Sequence, residues 1–408
     1  MSATHAPTSR PDAIAAIAPW HERFPCFDGL RAMAALAVVI THVSFATGSN
    51  TSTLVGYVFD HLDVGVSVFF VLSGFLLYRP FVAAHLSARP GPSLRRYATR
   101  RFLRIYPAYW IALTFFLFGA RTIHFHNAGD YVAFYALVHI YWRQRVLGGI
   151  VATWSLAVEV SFYVFLPVYA LVMSRWAGQQ RRTARAEATG VAVLYVAGLT
   201  FHALALLILT HPAPATLWLP CQIDLFALGM GLAVASAWAA QTGAVPRVLA
   251  AAGRHPAWCW LAAAVAFTLA ATALHLPRTF GDLPKRGEMG RQILYGLTAL
   301  FLVLPAVFGR QEHGAIRRSL RSRPAELLGL ISYGIFLWHS DWVKKLVEWG
   351  GLGWISQARF ASVLVLTLAL TLPCAALSYV VIERPLIRLS HRRSAPAGQP
   401  QPAAGNPA

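Results

Sequence analysis

The chain has 408 residues, of which 57% are hydrophobic and only 12% are charged, and its mean hydropathy is +0.52. Soluble proteins carry about 25% charged residues, so this composition excludes an ordinary soluble domain and indicates a membrane protein. The formal net charge of +19 also fits nucleic-acid binding, but the basic residues lie in short segments between apolar stretches, as in a multi-span protein. The expected surroundings are a lipid bilayer, with no nucleic-acid partner.

Apolar stretches of about membrane-spanning length recur along the whole chain. Lipid tolerates only helices or closed barrels, and the sequence has no ten-residue alternating strands, so the prediction is an all-α polytopic bundle of about ten transmembrane helices. The predicted spans are residues 30–48, 64–80, 106–120, 153–174, 188–210, 218–238, 257–275, 292–309, 327–343 and 360–382.

The basic residues predict the orientation of these spans. With the N-terminus inside, 25 of the 35 lysines and arginines fall in inner segments, which predicts cytoplasmic N- and C-termini in the cell membrane. Residues 131–150 would invert this bias if they spanned, so we expect them to be re-entrant or interfacial on the outer side. Residues 1–21 and 389–408 are expected to be flexible tails around one membrane domain at 22–388.

The first predicted helix contains the stretch FDGLRAMAALAVVITHV, in which two polar side chains interrupt an apolar sequence. Arg31 stands at its entrance and His42 lies further in. Eleven steps of 100° come within about 20° of three full turns, so the two share one face, about 16 Å apart. A neutral imidazole at this depth can act as a general base, or it can hydrogen-bond a neighbouring helix.

The third predicted span is preceded by the stretch RRFLRIYPAYW. Its Arg101 and Arg104 are three residues apart, so their guanidinium groups share a helix face at the cytoplasmic end. Two forked cations suit phosphate groups. The same charges also serve as ordinary positive-inside anchors, and charge alone does not decide between the two interpretations.

Ionisable residues also interrupt later spans. Glu159 lies about two turns inside the fourth, where a buried carboxylate needs a partner or a proton, so it is either functional or paired with an arginine. Asp224 is a lone acid in the outer half of the sixth span. His339 and Asp341 lie between two tryptophans at the outer end of the ninth, where a solvated interfacial belt is expected.

Taken in this order, the motifs resemble the acyltransferase-3 family of integral membrane acyltransferases. The resemblance covers about residues 22–390 and includes Arg31-x10-His42, GVSVFFVLSGFLLYRPF, Arg101-x2-Arg104, WSLAVE with Glu159, SYGIFLWH and IERP at 382–385. It implies ten helices that move an acyl group, commonly acetyl, from cytoplasmic acetyl-CoA to a hydroxyl of a sugar or related acceptor. The second motif is also similar to actinobacterial members, some of which acylate macrolides.

The resemblance also implies roles for individual residues. His42 would remove or relay the proton of the acceptor hydroxyl, and Glu159 would orient His42 or bind the acceptor. Donor binding is expected of Arg31, Arg101 and Arg104, and acceptor-binding or supporting roles of Asp28, Trp154, Ser155, Asp224 and His339. The donor, acetyl-CoA or another acyl-CoA, is a substrate, and neither a permanently bound cofactor nor a metal is expected.

The acceptor and the competing function stay open at this point. Many relatives carry Glu-Glu or Glu-Gln where this chain has Glu159 and Val160. No SGNH domain is expected after the helices, where the sequence continues as a Pro/Ala/Gly-rich tail. The acceptor is therefore a glycan, a lipid-linked sugar or a macrolide, and the sequence does not determine the side of acylation. The alternative function is a proton-coupled transporter of a small anionic or sugar-like solute, although the spans show no paired halves with matching broken helices.

Overall fold

The computed structural model describes residues 24–49, 54–146, 148–178, 183–212, 214–274, 285–351 and 358–392. Within these ranges the chain is helical and contains no strand. The helices are α1 (Phe27–Thr47), α2 (Leu54–Asp60), α3 (Val64–Leu86), α4 (Leu94–Thr114), α5 (Ala128–Tyr135), α6 (Trp154–Gly178), α7 (Thr183–Ile208), α8 (Leu219–Thr242), α9 (Arg247–Arg254), α10 (Pro256–Thr272), α11 (Lys285–Val307), α12 (Ala315–Leu320), α13 (Arg323–Leu330), α14 (Ser332–Glu348), α15 (Arg359–Ser378) and α16 (Arg384–Arg392).

Many of these helices have the length and composition of membrane spans. In the described part of the chain, eight helical segments are long and apolar enough to cross a membrane, and α9 with α10 adds a ninth if this pair, bent by 92°, is one broken span. Large apolar side chains such as Val164, Leu207 and Trp258 point outward and are 71%, 73% and 70% exposed. Such a surface suits lipid rather than water. The predicted all-α, multi-pass fold is confirmed, and the cytoplasmic placement of the termini stays a prediction.

The structure differs from the predicted spans mainly at helix ends. α4 begins at Leu94, well before residue 106, because its first turns carry arginines that continue the helix beyond its apolar part. The predicted span 327–343 is divided at Ile331 between α13 and α14, and α14 has 17 residues. Apolar residues continue through this break, so hydropathy could not reveal it. The predicted tail 1–21, and residues 393–408 of the other tail, lie outside the described residues.

The stretch 131–150 forms no spanning helix, as the charge bias predicted. α5 has only eight residues and begins with a capping box made by Asn127 and Asp130. Arg145 Nε lies 2.8 Å from Asp130 Oδ1, and this hydrogen bond holds the pKa of Asp130 below its ordinary value. The capping box and the ion pair hold the segment in its folded shape, and Tyr109 of α4 ties it to the bundle by donating to the carbonyl oxygen of Phe134 at 2.6 Å.

The centre of the bundle is the close contact between α3 and α8. A Cβ added to Gly74 would lie 2.1 Å from the carbonyl oxygen of Phe226, and one added to Gly229 would lie 2.0 Å from that of Val71. Small residues let helix backbones approach closely in membranes. The ring of Phe226 stacks on Phe162 of α6 at 4.1 Å between centroids. This packing brings α3 and α6 together, and both helices carry residues of the site described below.

Arg317 of α12 joins the ends of α9 and α11. The side chain is 2% exposed and donates hydrogen bonds to the carbonyl oxygens of Pro305, Phe308, Arg310 and Gly253. These carbonyls lie at or just beyond helix C-termini, which lack intrahelical donors and carry partial negative charge. One arginine therefore satisfies two helix ends at once.

Replacing Arg317 by methionine is expected to destabilise the protein by about 3 kcal/mol or more, because buried carbonyl groups would lose their donors. The measurement is thermal unfolding of the purified protein in detergent. Arg318→Met is the matched control, since Arg318 is the next residue in the chain and its side chain is exposed. Equal unfolding temperatures for the two variants would contradict a capping role for Arg317.

Candidate active site

A cavity of about 80 Å³ lies between α1, α3, α4, α6 and α14, and its polar lining residues are Arg31, Ser73, Arg101, Arg104, Ser155, Glu159, Tyr163, Ser332 and Tyr333. We call it the arginine cavity. The structure thus brings together the three arginines and the acid that the sequence singled out, although they come from three different helices.

A second cavity continues the first along α4. The two share Leu76, Leu77 and Arg101, and the second adds Arg96 and Arg100. Sequence reasoning missed these two arginines as site residues, because in the first turns of α4 they read as ordinary basic anchors. Together the cavities form a basic passage from the start of α4 to the interior of the bundle.

Arg101 and Arg104 form no ion pair with a carboxylate of the described residues. No Asp or Glu of the described residues lies within ion-pair distance of either guanidinium, and the Arg101 guanidinium instead lies over the Tyr163 ring, 5.7 Å from its centroid. Arg31 is different, because its Nη1 lies 3.2 Å from Asp28 Oδ1 one turn earlier on α1. Asp28 therefore positions Arg31, while the other two arginines present their donors to the cavity.

Glu159 is held by hydroxyl groups. Ser73 and Tyr163 donate to its Oε1 at 2.6 and 2.8 Å. Both bonds use the same oxygen, which leaves Oε2 able to accept from a molecule in the cavity. No arginine of the described chain lies within 4.0 Å of the carboxylate, so the structural ion pair considered from the sequence is not observed. Ser73 was missed, although a serine within VLSGF was a visible signal.

His42 pairs with His339 near the other end of α1. His339 Nε2 lies 2.9 Å from His42 Nδ1, which also lies 3.1 Å from the carbonyl oxygen of Val38. His339 Nδ1 lies 3.0 Å from the carbonyl oxygen of Ile335. The pair joins α1 to α14 across 297 positions of sequence.

These contacts assign the hydrogen atoms of the pair. A carbonyl oxygen can only accept, so His339 Nδ1 carries a hydrogen and the neutral ring has a lone pair on Nε2. Both neighbours of His42 Nδ1 are then acceptors, so this atom also carries a hydrogen. His42 Nε2 is left with its lone pair and makes no hydrogen bond with the described residues. It is the atom that can take a proton.

Two sequence-based expectations are corrected by this geometry. Glu159 does not hydrogen-bond His42, whose side-chain partner is His339, because α6 presents the acid to Ser73 and Tyr163 in the arginine cavity, which His42 does not line. His339 and Asp341 do not belong to a solvated belt, since they are 0% and 2% exposed. Asp341 accepts hydrogen bonds from Thr122 and Ser340 inside the protein.

The remaining predicted supporting residues lie at different distances from the cavity. Ser155 lines it, and Trp154 packs edge-on against Phe70 one layer behind. Asp224 is not among its lining residues; its two carboxylate oxygens accept from Gln292 Nε2 at 3.0 and 3.2 Å. Asp224 therefore serves the contact between α8 and α11, and the structure gives it no place in the site.

The site of this multi-pass membrane protein combines arginines without ion-pair partners, a carboxylate oxygen that is free to accept and a basic imidazole. These groups can bind an anionic, activated substrate and take part in its reaction. Comparison with protein families gives the class. Residues 24–379 match the family model of the acyltransferase-3 domain, described as an acyltransferase domain. The chain belongs to this family and is an acyltransferase.

Three curated proteins are similar to most of the chain. They are the peptidoglycan O-acetyltransferase OatA of Listeria monocytogenes, 24% identical over 89% of this chain, the putative peptidoglycan O-acetyltransferase YrhL of Bacillus subtilis, 26% over 90%, and the acyltransferase MdmB of Streptomyces mycarofaciens, 26% over 93%. The chain spans 55% of the length of OatA and of YrhL and 96% of MdmB. No solved structure matches. All three names are those of acyltransferases, and the transporter alternative gains no support.

Proposed function

We propose that the protein transfers an acyl group, acetyl in the simplest case, from acyl-CoA to a hydroxyl of a carbohydrate or macrolide-type acceptor at the cell membrane. The observation that carries this proposal is the arginine cavity, where two arginines without carboxylate partners face Glu159. The phosphates of coenzyme A supply the anionic groups that these arginines lack. The names of the two peptidoglycan O-acetyltransferases support a glycan acceptor.

The reaction follows from the tautomers of the histidine pair. The acceptor oxygen attacks the thioester carbonyl carbon while its proton passes to His42 Nε2, so that a C–O bond forms and the C–S bond breaks. The thiolate of coenzyme A leaves and takes up the proton, and the products are the ester and free coenzyme A. His339 holds His42 in the tautomer that presents the lone pair, as a partner on the far nitrogen does for a general base.

The proposal is tested with detergent-purified protein and radiolabelled acetyl-CoA. The acceptors are a disaccharide of N-acetylglucosamine and N-acetylmuramic acid, and a glycosylated macrolide. Label in an ester that is released by mild alkali is the expected result. No labelled ester with any acceptor, from protein that is folded by its melting curve, would overturn the proposal.

Arg104→Lys is expected to raise the apparent KM for acetyl-CoA by about tenfold or more, while the KM for the acceptor stays unchanged. Lysine keeps the charge but loses the fork, and a hydrogen bond to a charged group contributes about 1.5–3 kcal/mol. Initial rates at varied acetyl-CoA measure the effect. Arg175→Lys is the control, because this arginine is exposed in the last turn of α6. An unchanged KM for acetyl-CoA would show that Arg104 only anchors the helix.

A further inference from the structure

The candidate membrane span from Val55 to Leu86 contains a short break in its α-helix at the level of His42. A turn at residues 61–63 separates α2 from α3 within this segment. A Cβ added to Gly65 would lie 2.4 Å from the carbonyl oxygen of Ala34, and Thr41 Oγ1 donates to the carbonyl oxygen of Phe59 at 3.0 Å. The break therefore packs against the part of α1 that carries His42.

Three polar side chains meet at this break. Tyr295 of α11 donates its hydroxyl hydrogen to Asp63 Oδ1 at 2.5 Å. Arg291, one turn earlier on α11, has Nη1 3.6 Å from Asp63 Oδ2, and its guanidinium lies 5.7 Å from the centroid of the Tyr295 ring. None of the three residues lines the arginine cavity.

The group is open to ligands in a way that a purely structural ion pair is not. The side chains of Asp63 and Arg291 are 37% and 31% exposed. Their separation is longer than the 2.7–2.9 Å or so of a tight charge-assisted hydrogen bond, so the pair is loose and both groups can also bind a hydroxyl group that lies beside them. Asp63 supplies acceptor oxygens and Arg291 supplies donors, which together match a hydroxyl that both donates and accepts.

The group also lies on the other side of His42 from the arginine cavity. Arg31 is in the first turns of α1 and lines the arginine cavity, whereas His42 is about three turns further along the same helix. α3 begins at Val64, next to Asp63, and reaches the arginine cavity only at Phe69 and beyond. A molecule held at Asp63 therefore approaches His42 from the opposite end to a molecule held at Arg101 and Arg104.

We infer that Asp63, Arg291 and Tyr295 form the saccharide-binding subsite of this acyltransferase and bring the acceptor hydroxyl to His42 from the end opposite the arginine cavity. The inference rests on the proposed function, and it adds the residues and the side of the bundle that the acceptor uses. The carboxylate and guanidinium bind neighbouring hydroxyls of the sugar. Asp63 and Tyr295 keep the arginine in place when the site is empty.

The test separates acceptor binding from donor binding. Asp63→Asn and Arg291→Gln are measured with radiolabelled acetyl-CoA and whichever acceptor of the disaccharide and the glycosylated macrolide the parent acylates faster. The KM for that acceptor is expected to rise at least tenfold in both variants, and the KM for acetyl-CoA to stay within twofold. Arg291→Lys is expected to recover part of the acceptor affinity. Arg286→Gln is the control, since this arginine is exposed on the same helix.

Each other outcome is decisive. An active parent whose two variants keep the parent's acceptor KM would overturn the subsite and leave the proposed function standing. Variants that melt early and lose kcat with both KM values unchanged would also overturn the subsite and leave the proposed function standing. That pattern would show that these residues only join α3 to α11. If Asp63→Asn gives no folded protein, the two Arg291 variants decide. A folded parent that acylates neither acceptor would overturn the proposed function itself, and the inference with it.

Discussion

His42→Ala is expected to lower the rate of acyl transfer by about 10²–10⁴-fold, the usual effect of removing a general base. His42 Nε2 is the lone pair that the hydrogen-bond pattern leaves open, and alanine offers no substitute for it. Binding of acetyl-CoA should persist, because the arginine cavity lies about three turns away along α1. The measurement is single-turnover transfer from radiolabelled acetyl-CoA.

The protein level and the unfolding temperature are measured together with the rate, because His42 also contacts α14 through His339 and its loss could affect folding. His313→Ala is the control, since this histidine is exposed in the loop before α12. A His42→Ala protein that is inserted normally and works within threefold of the parent would remove His42 from the mechanism. Retention of acetyl-CoA binding in the inactive variant would place the loss in the chemical step.

Glu159→Gln is expected to leave the protein folded and to lower turnover by about 10²-fold or more, the scale seen when one group that stabilises a transition state is removed. Glutamine keeps a carbonyl oxygen in the place of Oε1, so Ser73 and Tyr163 retain their acceptor. The open Oε2 becomes an amide nitrogen, and the negative charge among the arginines is lost. The change therefore acts on whatever occupies the cavity rather than on the packing.

Turnover, yield and melting together distinguish the roles of Glu159. Normal yield and melting with low turnover would support a functional carboxylate. Low yield with early melting would show that the charge stabilises the arginines around the cavity instead. Glu326→Gln, exposed in the first turn of α13, is the control. A folded, fully active Glu159→Gln enzyme would contradict both roles.

The features that could be predicted from the sequence are those that depend on the residues of a single helix. Apolar length gave the spans, charge bias identified 131–150 as a non-spanning segment, and helical periodicity placed Arg31 and His42 on one face of α1. The grouping of Arg101 with Arg104 follows from the same periodicity. These features are local, so no knowledge of neighbouring helices was needed.

The rest depends on which helices are neighbours, and sequence spacing does not carry that information. His339 was expected in a solvated belt because tryptophans flank it, yet α14 packs on α1 and turns it onto His42. Glu159 was expected near His42 from its depth alone, but α6 faces α3 and α4 instead. Asp63 and Arg291 drew no attention, because in sequence each is an ordinary charge at the end of an apolar stretch.

The distance between Arg31 and His42 along α1 limits which acyl donors the protein can use. If Arg101 and Arg104 hold the anionic part of the donor beside Arg31, as proposed, the reacting carbonyl has to reach His42, about 16 Å further along the helix. A small activated acyl compound whose negative charge adjoins the carbonyl, such as acetyl phosphate, is too short to occupy both places at once. On that proposal, a donor with a long flexible arm between its phosphates and its thioester spans the gap, and the length of one helix would select the donor before any contact with the acyl group is made.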